Sequence, residues 1–182
     1  MKIIVINGQG GVGKDTFVEM CRKHNTYVHN VSTIDPIKTI ASKVGWKGGK
    51  TQRDRRFLSD LKDLLTQYND YPFTKTEQYI EECLWDFHYY NIPTKDVVFF
   101  VHCREPEEID RWVKQHKART LIIRRRGVEG EYDNHADNNV FDMPYNYTIY
   151  NEEGLEDLNR QAKKFMEILK EENWESEMIL KF

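Results

Sequence analysis

Hydrophobic residues recur along this chain with two spacings, and the switches between them divide it into elements. Lys2 to Ile6 is a short, nearly continuous apolar run rich in β-branched side chains and closed by glycines, the pattern of a strand buried on both faces of a parallel sheet. A helix is predicted from Lys14 to about Lys23, then a strand over Tyr27 to Val31. Asp35 is placed to cap a helix with Pro36 in its first turn and Gly45 just past its end, and Ile37, Ile40, Ala41 and Val44 make its apolar face. From Arg53 to Tyr68, the residues Phe57, Leu61, Leu64, Leu65 and Tyr68 form a helical stripe. Thr74 and Glu77 read as a capping box opening a helix that turns Ile80, Cys83, Leu84 and Phe87 inward. Further strands are predicted at Val97 to His102, Arg119 to Arg124 and Tyr147 to Tyr150. A helix begun by Pro106 carries Ile109, Trp112, Val113 and His116 on one face, and the last long helix repeats Leu155, Leu158, Ala162, Phe165, Met166 and Leu169.

Strands alternating with helices imply right-handed βαβ units, so the fold class is α/β: a mainly parallel five-stranded sheet covered by helices on both sides, in one domain over residues 1–182. No internal repeat or low-complexity linker interrupts it. The tail from Trp174 to Phe182 has no clear period and is expected to dock on the domain or on a second copy of the chain, as a homodimer.

Composition narrows the classes without naming one. The 182 residues, 39% hydrophobic and 31% charged, are enough for a real core. No stretch approaches the roughly 18 consecutive apolar residues of a membrane span, and the apolar start is too short for a signal peptide. Cys21, Cys83 and Cys103 are widely spaced and form no CxxC, so they read as buried thiols in a reducing cytoplasm. A net charge of -3 argues against a broad nucleic-acid-binding face. Any phosphate chemistry must be local.

Such a local feature follows the first strand. Gly8, Gly10, Gly11, Val12, Gly13, Lys14, Asp15 and Thr16 lie in a glycine-rich loop that runs into the first helix, where a parallel sheet opens a crevice at its strand ends. Glycines let backbone N–H groups close around a phosphate, the helix N-terminus adds its positive end, and Lys14 is spaced to reach the β- and γ-phosphates of ATP. The strict pattern has a magnesium-holding hydroxyl straight after the lysine. Here Asp15 stands there and Thr16 follows, so both are candidate Mg2+ groups acting through water.

The GKDT ending resembles the phage-type deoxynucleoside monophosphate kinases, relatives of adenylate kinase within the P-loop nucleoside monophosphate kinases. Val31 to Lys38 is similar to the segment opening their monophosphate-binding helix, Arg55-Arg56-Phe57-Leu58 to the basic start of their next helix, and Cys103 to Glu108 to the turn after their third strand. The stretch from Tyr147 to Leu158 is similar to their closing strand, turn and helix. These landmarks cover almost the whole chain, though only the glycine loop is specific by itself. The resemblance implies a three-layer α/β/α P-loop fold with a monophosphate-binding region over about 32–92 and a short lid over about 125–146. It implies ATP-dependent, Mg2+-assisted phosphorylation of a nucleoside or deoxynucleoside monophosphate in the cytoplasm, with neither nucleic acid nor membrane as a partner. Ser32, Asp35, Lys38, Arg55, Arg56 and Arg104 would hold the acceptor, and Lys14, Arg104 and Arg124 or Arg126 would act on the transferring phosphoryl group.

The residues themselves are compatible with that chemistry, because a phosphate acceptor needs a second cluster of cations to neutralise it. Two departures stand against the family pattern. No arginine lies between Gly127 and Asn159, where a lid exit would carry one, and the third predicted strand ends in His102 instead of an aspartate, leaving Glu105 or Asp15 as the magnesium carboxylate. Two alternatives therefore stay open: a P-loop kinase of another small phosphorylated metabolite, and a catalytically weak nucleotide-binding regulator.

Overall fold

A computed structural model describes residues 1–127, 144–172 and 174. Most of the lid expected over about 125–146, residues 128 to 143, and most of the tail lie outside them. The described strands and α-helices are β1 (Lys2–Asn7), α1 (Lys14–Arg22), β2 (Val28–Ser32), α2 (Asp35–Lys43), α3 (Gln52–Asn69), α4 (Tyr71–Tyr89), β3 (Val98–His102), α5 (Pro106–His116), β4 (Arg119–Arg124), β5 (Tyr147–Tyr150) and α6 (Leu155–Glu171). Compact contacts divide the chain into one unit of 1–30 with 93–182 and another of 31–92.

The sheet has five strands in the order β2-β3-β1-β4-β5. β1 runs parallel to both β3 and β4, and β4 runs parallel to β5, as the alternation of elements predicts. Every residue of β1 is buried, which explains its unbroken apolar run. Its side chains divide by period two. Ile4 and Ile6 join Phe17, Val18, Phe100, Leu121, Ile123, Leu158, Phe165 and Met166 in the main core, where α1 and α6 pack together. The odd residues Ile3 and Val5 are also fully buried, and α5, with Ile109 and Trp112 at 0% exposure, packs on β1 and β4. A parallel sheet with helices on both faces results: three layers, as expected.

The order of strands matters for the site. The chain passes from β1 outward to β2, returns to β3 beside β1, then crosses to β4 on the other side of β1. The direction of winding thus reverses about β1, and such a reversal leaves a crevice beyond the carboxyl ends of the strands.

In the second unit α2, α3 and α4 pack on one another. The structure corrects the sequence reading here in three places. No residue of α3 is fully buried, and three of its expected inward residues are exposed: Phe57 by 39%, Leu64 by 62% and Tyr68 by 80%. The half-buried face is instead Leu58, Leu61, Lys62 and Leu65, a stripe rotated by about one residue, because a small three-helix unit covers only a narrow seam of each helix. Thr74 does not open α4, which starts at Tyr71. Asp70 adopts a left-handed conformation (φ 57°) that turns the chain directly from α3 into α4, Pro72 occupies the first turn, and the Thr74 N–H already donates to the Asp70 carbonyl. The box that does exist lies earlier. Thr51 Oγ1 accepts from the Asp54 N–H at 3.2 Å while Asp54 Oδ2 accepts from the Thr51 N–H at 3.0 Å, fixing the start of α3. Asp35 is the first residue of α2 rather than its cap; its carboxylate accepts from the Ser32 N–H at 3.1 Å.

Elsewhere Val44, Val113 and Leu155 are exposed although the helical pattern turns them inward. Cys21 and Cys103 are buried and Cys83 is half-buried, all as free thiols. No described helix is long and apolar enough to cross a membrane.

Candidate functional site

Strand register brings three chain segments to one edge of the sheet. His102 at the end of β3 lies beside Ile6, Ile122 of β4 lies beside Asn7, and Tyr150 of β5 lies beside Arg124. Beyond that edge the chain leaves β1 as the glycine loop and re-enters regular structure at Lys14.

Glycine is required in this loop on steric grounds. Gly8 has φ +137°, and a Cβ there would fall 2.5 Å from the Ile123 carbonyl oxygen; Gly13 has φ +99°, and a Cβ there would fall 2.6 Å from Asn151 Nδ2. Gly11 has a positive φ as well. The loop therefore lies directly against β4 and the turn after β5. Gly13 is also the cap residue of α1, and having no side chain it gives the helix no side-chain cap. The start of α1 carries the positive end of the helix dipole, which favours an anion. Lys14 folds back over the loop, its ammonium donating to the carbonyls of Gly8 and, at 2.9 Å, Gln9.

Asp15 and Thr16 occupy the exposed first turn of α1. Asn30 Nδ2, near the end of β2, donates to Asp15 Oδ1 at 3.2 Å. His102 Nε2 lies 2.6 Å from Asn30 Oδ1 and 3.6 Å from Asp15 Oδ1. The aspartate after the lysine is thereby tied to the ends of β2 and β3, and the 14% exposed His102 side chain lies behind it. His102 and Asp15, read separately in the sequence, form one cluster.

Arg104 and Arg124 are both half-buried, the first just past the end of β3 and the second at the end of β4. Arg124 lies near the Tyr145 hydroxyl, which burial pushes up to about 12 and which the Arg124 charge partly opposes. The other lid candidate faces elsewhere: Arg126 is 89% exposed and pairs with Glu152 at 3.3 Å. Arg125 is exposed too.

The acceptor candidates of the 31–92 unit sit on its own surface. Lys38 Nζ pairs with Asp35 Oδ1 at 2.9 Å, and the Arg56 side chain, 84% exposed, lies 3.8 Å from Asp60. Arg55 is exposed in the first turn of α3, and Ser32 is the last residue of β2.

Three residues missed in the sequence complete the loop's surroundings. Asn7, 1% exposed, accepts from the Gly8 N–H through Oδ1 at 2.7 Å and donates from Nδ2 to the Tyr145 hydroxyl at 2.9 Å. Asn151 donates from Nδ2 to the Val12 carbonyl at 2.9 Å. A polar residue ending an apolar strand was the available sign for Asn7. Nothing local marks Tyr145 or Asn151, whose role depends on β5 lying beside β4.

As for metal, no group of three or more His, Cys, Asp or Glu side chains among the described residues is placed to hold an ion. Magnesium does not need such a cage when phosphates supply most of its oxygens. The Thr16 hydroxyl and the Asp15 carboxylate, both in the exposed first turn of α1, are hard oxygen donors of the kind that complete its shell through water.

No protein family and no curated protein sequence matches the chain. Among solved structures it is similar to a shikimate kinase from Aquifex aeolicus, at 12% identity over 92% of this chain and 96% of that one, with a TM-score of 0.47. It is also similar to a sugar kinase from a Janibacter species, at 12% identity over 93% of this chain and 96% of that one, with a TM-score of 0.44. At such distances the functional reading rests on the residues of the chain itself.

Proposed function

We propose that this protein is an ATP-dependent kinase whose acceptor is a nucleoside or deoxynucleoside monophosphate. The observation that carries the reading is the glycine loop between β1 and α1: Gly8 and Gly13 are sterically required, its helix start has no side-chain cap, and Lys14 is held against it. A triphosphate entering there exchanges the Lys14 contacts with loop carbonyls for contacts with phosphate oxygens, while the α1 N-terminus offers its N–H groups. Arg104 and Arg124, at the ends of the strands flanking β1, are the cations assigned to the transferring group. Arg124 is preferred to Arg126, which is exposed and paired with Glu152.

Lys38, Arg55 and Arg56, with Ser32 and Asp35, are assigned to the acceptor phosphate on the sequence resemblance to monophosphate kinases. Magnesium bound with ATP would neutralise the β- and γ-oxygens, with Asp15 and Thr16 in its outer shell. Transfer to an acceptor phosphate already ionised near neutrality needs positioning more than a base, so His102 is given no proton-transfer role.

The reading is tested by ATP-dependent phosphorylation of a panel of ribo- and deoxynucleoside monophosphates. Turnover with at least one acceptor is expected, and a Lys14→Ala variant should lose it by ~10³-fold or more. Absence of turnover with every monophosphate, beside turnover with another phosphorylated metabolite, would move the assignment to that substrate class. A second reading, a nucleotide-binding regulator with little turnover, is favoured by Asp15 being tied to Asn30 and by His102 standing at the strand end where the monophosphate kinase pattern has an aspartate. ATP binding without transfer to any acceptor selects it.

A further inference from the structure

A loop built on glycines is soft, because positive φ at Gly8, Gly11 and Gly13 is available to these residues together with much else. Convergent N–H groups recognise a phosphate only if something outside the loop restricts those alternatives. Two ties do so, and both come from the residues flanking β5. At the loop's entrance, the Tyr145 hydroxyl accepts from Asn7 Nδ2, which leaves Asn7 Oδ1 directed at the Gly8 N–H. At its exit, Asn151 Nδ2 donates to the Val12 carbonyl and lies so close to Gly13 that a methyl group there would stand 2.6 Å from it. Asn151 is itself anchored, since its backbone N–H donates to the Arg124 carbonyl at 2.8 Å.

Resting on the reading of the loop as an ATP site, we infer that Tyr145 and Asn151 are positioning residues that set the loop in its phosphate-binding shape. Neither needs to touch the nucleotide. Because Arg124 ends the strand to which Asn151 is anchored, the same contact keeps the loop and this cation in one register. Loosening either tie lets the loop populate conformations whose amides do not converge, so nucleotide binding loses the fraction of molecules in the competent shape.

The chemistry of the Asn151 contact supplies a discriminating variant. Asn151→Asp keeps the shape and volume of the side chain but replaces its donor with a carboxylate oxygen, which repels the Val12 carbonyl. If Asn151 only fills space, Asn151→Asp is harmless and Asn151→Ala is the damaging change. If it positions the loop, both variants weaken ATP binding by ~10- to 100-fold, with Asp at least as severe, and raise the KM for ATP while the KM for the acceptor stays unchanged. Tyr145→Phe keeps the ring and removes the acceptor for Asn7, so it tests the entrance tie with little cost in packing.

The experiment measures ATP affinity by calorimetry for the wild type, Lys14→Ala, Asn151→Ala, Asn151→Asp and Tyr145→Phe, with circular dichroism to identify folded variants and hydrogen exchange of the loop amides without nucleotide. Faster exchange at the loop and weaker ATP binding in folded Asn151 and Tyr145 variants are expected. Undiminished ATP affinity in Asn151→Asp and Tyr145→Phe, beside a wild type that binds and a Lys14→Ala variant that does not, overturns this proposal alone. A wild type that binds no nucleotide overturns the functional reading and the proposal together.

Discussion

At the scale of single residues, the loop shows how a few side chains and the absence of others define a site. Gly8 is the clearest case, because it combines a φ of +137° with a carbonyl oxygen 2.5 Å from where a Cβ would stand. Gly8→Ala is therefore expected to destabilise the fold by about 1–3 kcal/mol, read as a lower urea midpoint with an unchanged slope. Lys14 and the glycines were legible in the sequence because their spacing is itself the signal. Tyr145 and Asn151 were not, and Asn7 only as a polar end to an apolar strand: an asparagine or tyrosine at or beside the end of a strand is common, and only the partners it meets give it a role. Arg124 and Arg126 could not be separated by sequence for a similar reason, since they lie two apart in one run and differ only in where the end of β4 directs them.

At the scale of elements, periodicity located the strands and most of the helices, and it failed where a helix is only lightly covered. The stripe assigned to α3 includes Phe57, Leu64 and Tyr68, which are exposed, because apolar spacing alone defines a face only to within about one residue. The start of the same helix is better specified than its face. The reciprocal Thr51 and Asp54 bonds hold it, and the Thr51 hydroxyl, first among several hydrogen bonds, lowers the Asp54 carboxyl below its ordinary value. Removing the cap with Thr51→Ala should cost about 1 kcal/mol and accelerate hydrogen exchange in the first turn of α3, leaving α5 and α6 unaffected. A uniform loss of protection across all three helices would show that α3 does not open separately. The false box at Thr74 had the right residue types and spacing, but the left-handed Asp70 and Pro72 begin the helix a turn sooner.

At the scale of the whole molecule, charge is placed in ways that the net value of -3 conceals. Cations stand at the strand ends near the loop, and another polar cluster lies at the opposite ends of β4 and β5. There Tyr147 donates to Glu172 at 2.5 Å, Arg119 bonds both of them, and the guanidinium lies 4.4 Å from the centre of the Trp174 ring. Burial, aided by Glu172 and opposed by Arg119, pushes the Tyr147 phenol up to about 12, and burial takes Tyr145 to about 12 as well. In the unfolded chain both ionise near 10, roughly the ordinary tyrosine value. A raised phenol pKa means that the native state keeps its proton longer, so this contribution is complete below about pH 10 and is lost as pH rises towards about 12. Urea midpoints should fall over that window, and Tyr147→Phe should lower stability at neutral pH while flattening the alkaline slope; an unchanged slope would show that Tyr147 does not contribute to it. What the sequence determined by itself was set by near neighbours along the chain: the alternation of strands and helices, the buried central strand, and a glycine loop ending in Lys14 at a helix start. The tertiary structure alone decided the strand order that reverses about β1, the meeting of Asp15 with Asn30 and His102, and the ties from Tyr145 and Asn151 to the loop. The physical reason is one of range. Propensity and periodicity act over a few residues, whereas a contact such as that between Val12 and Asn151 exists only after five strands have found their order.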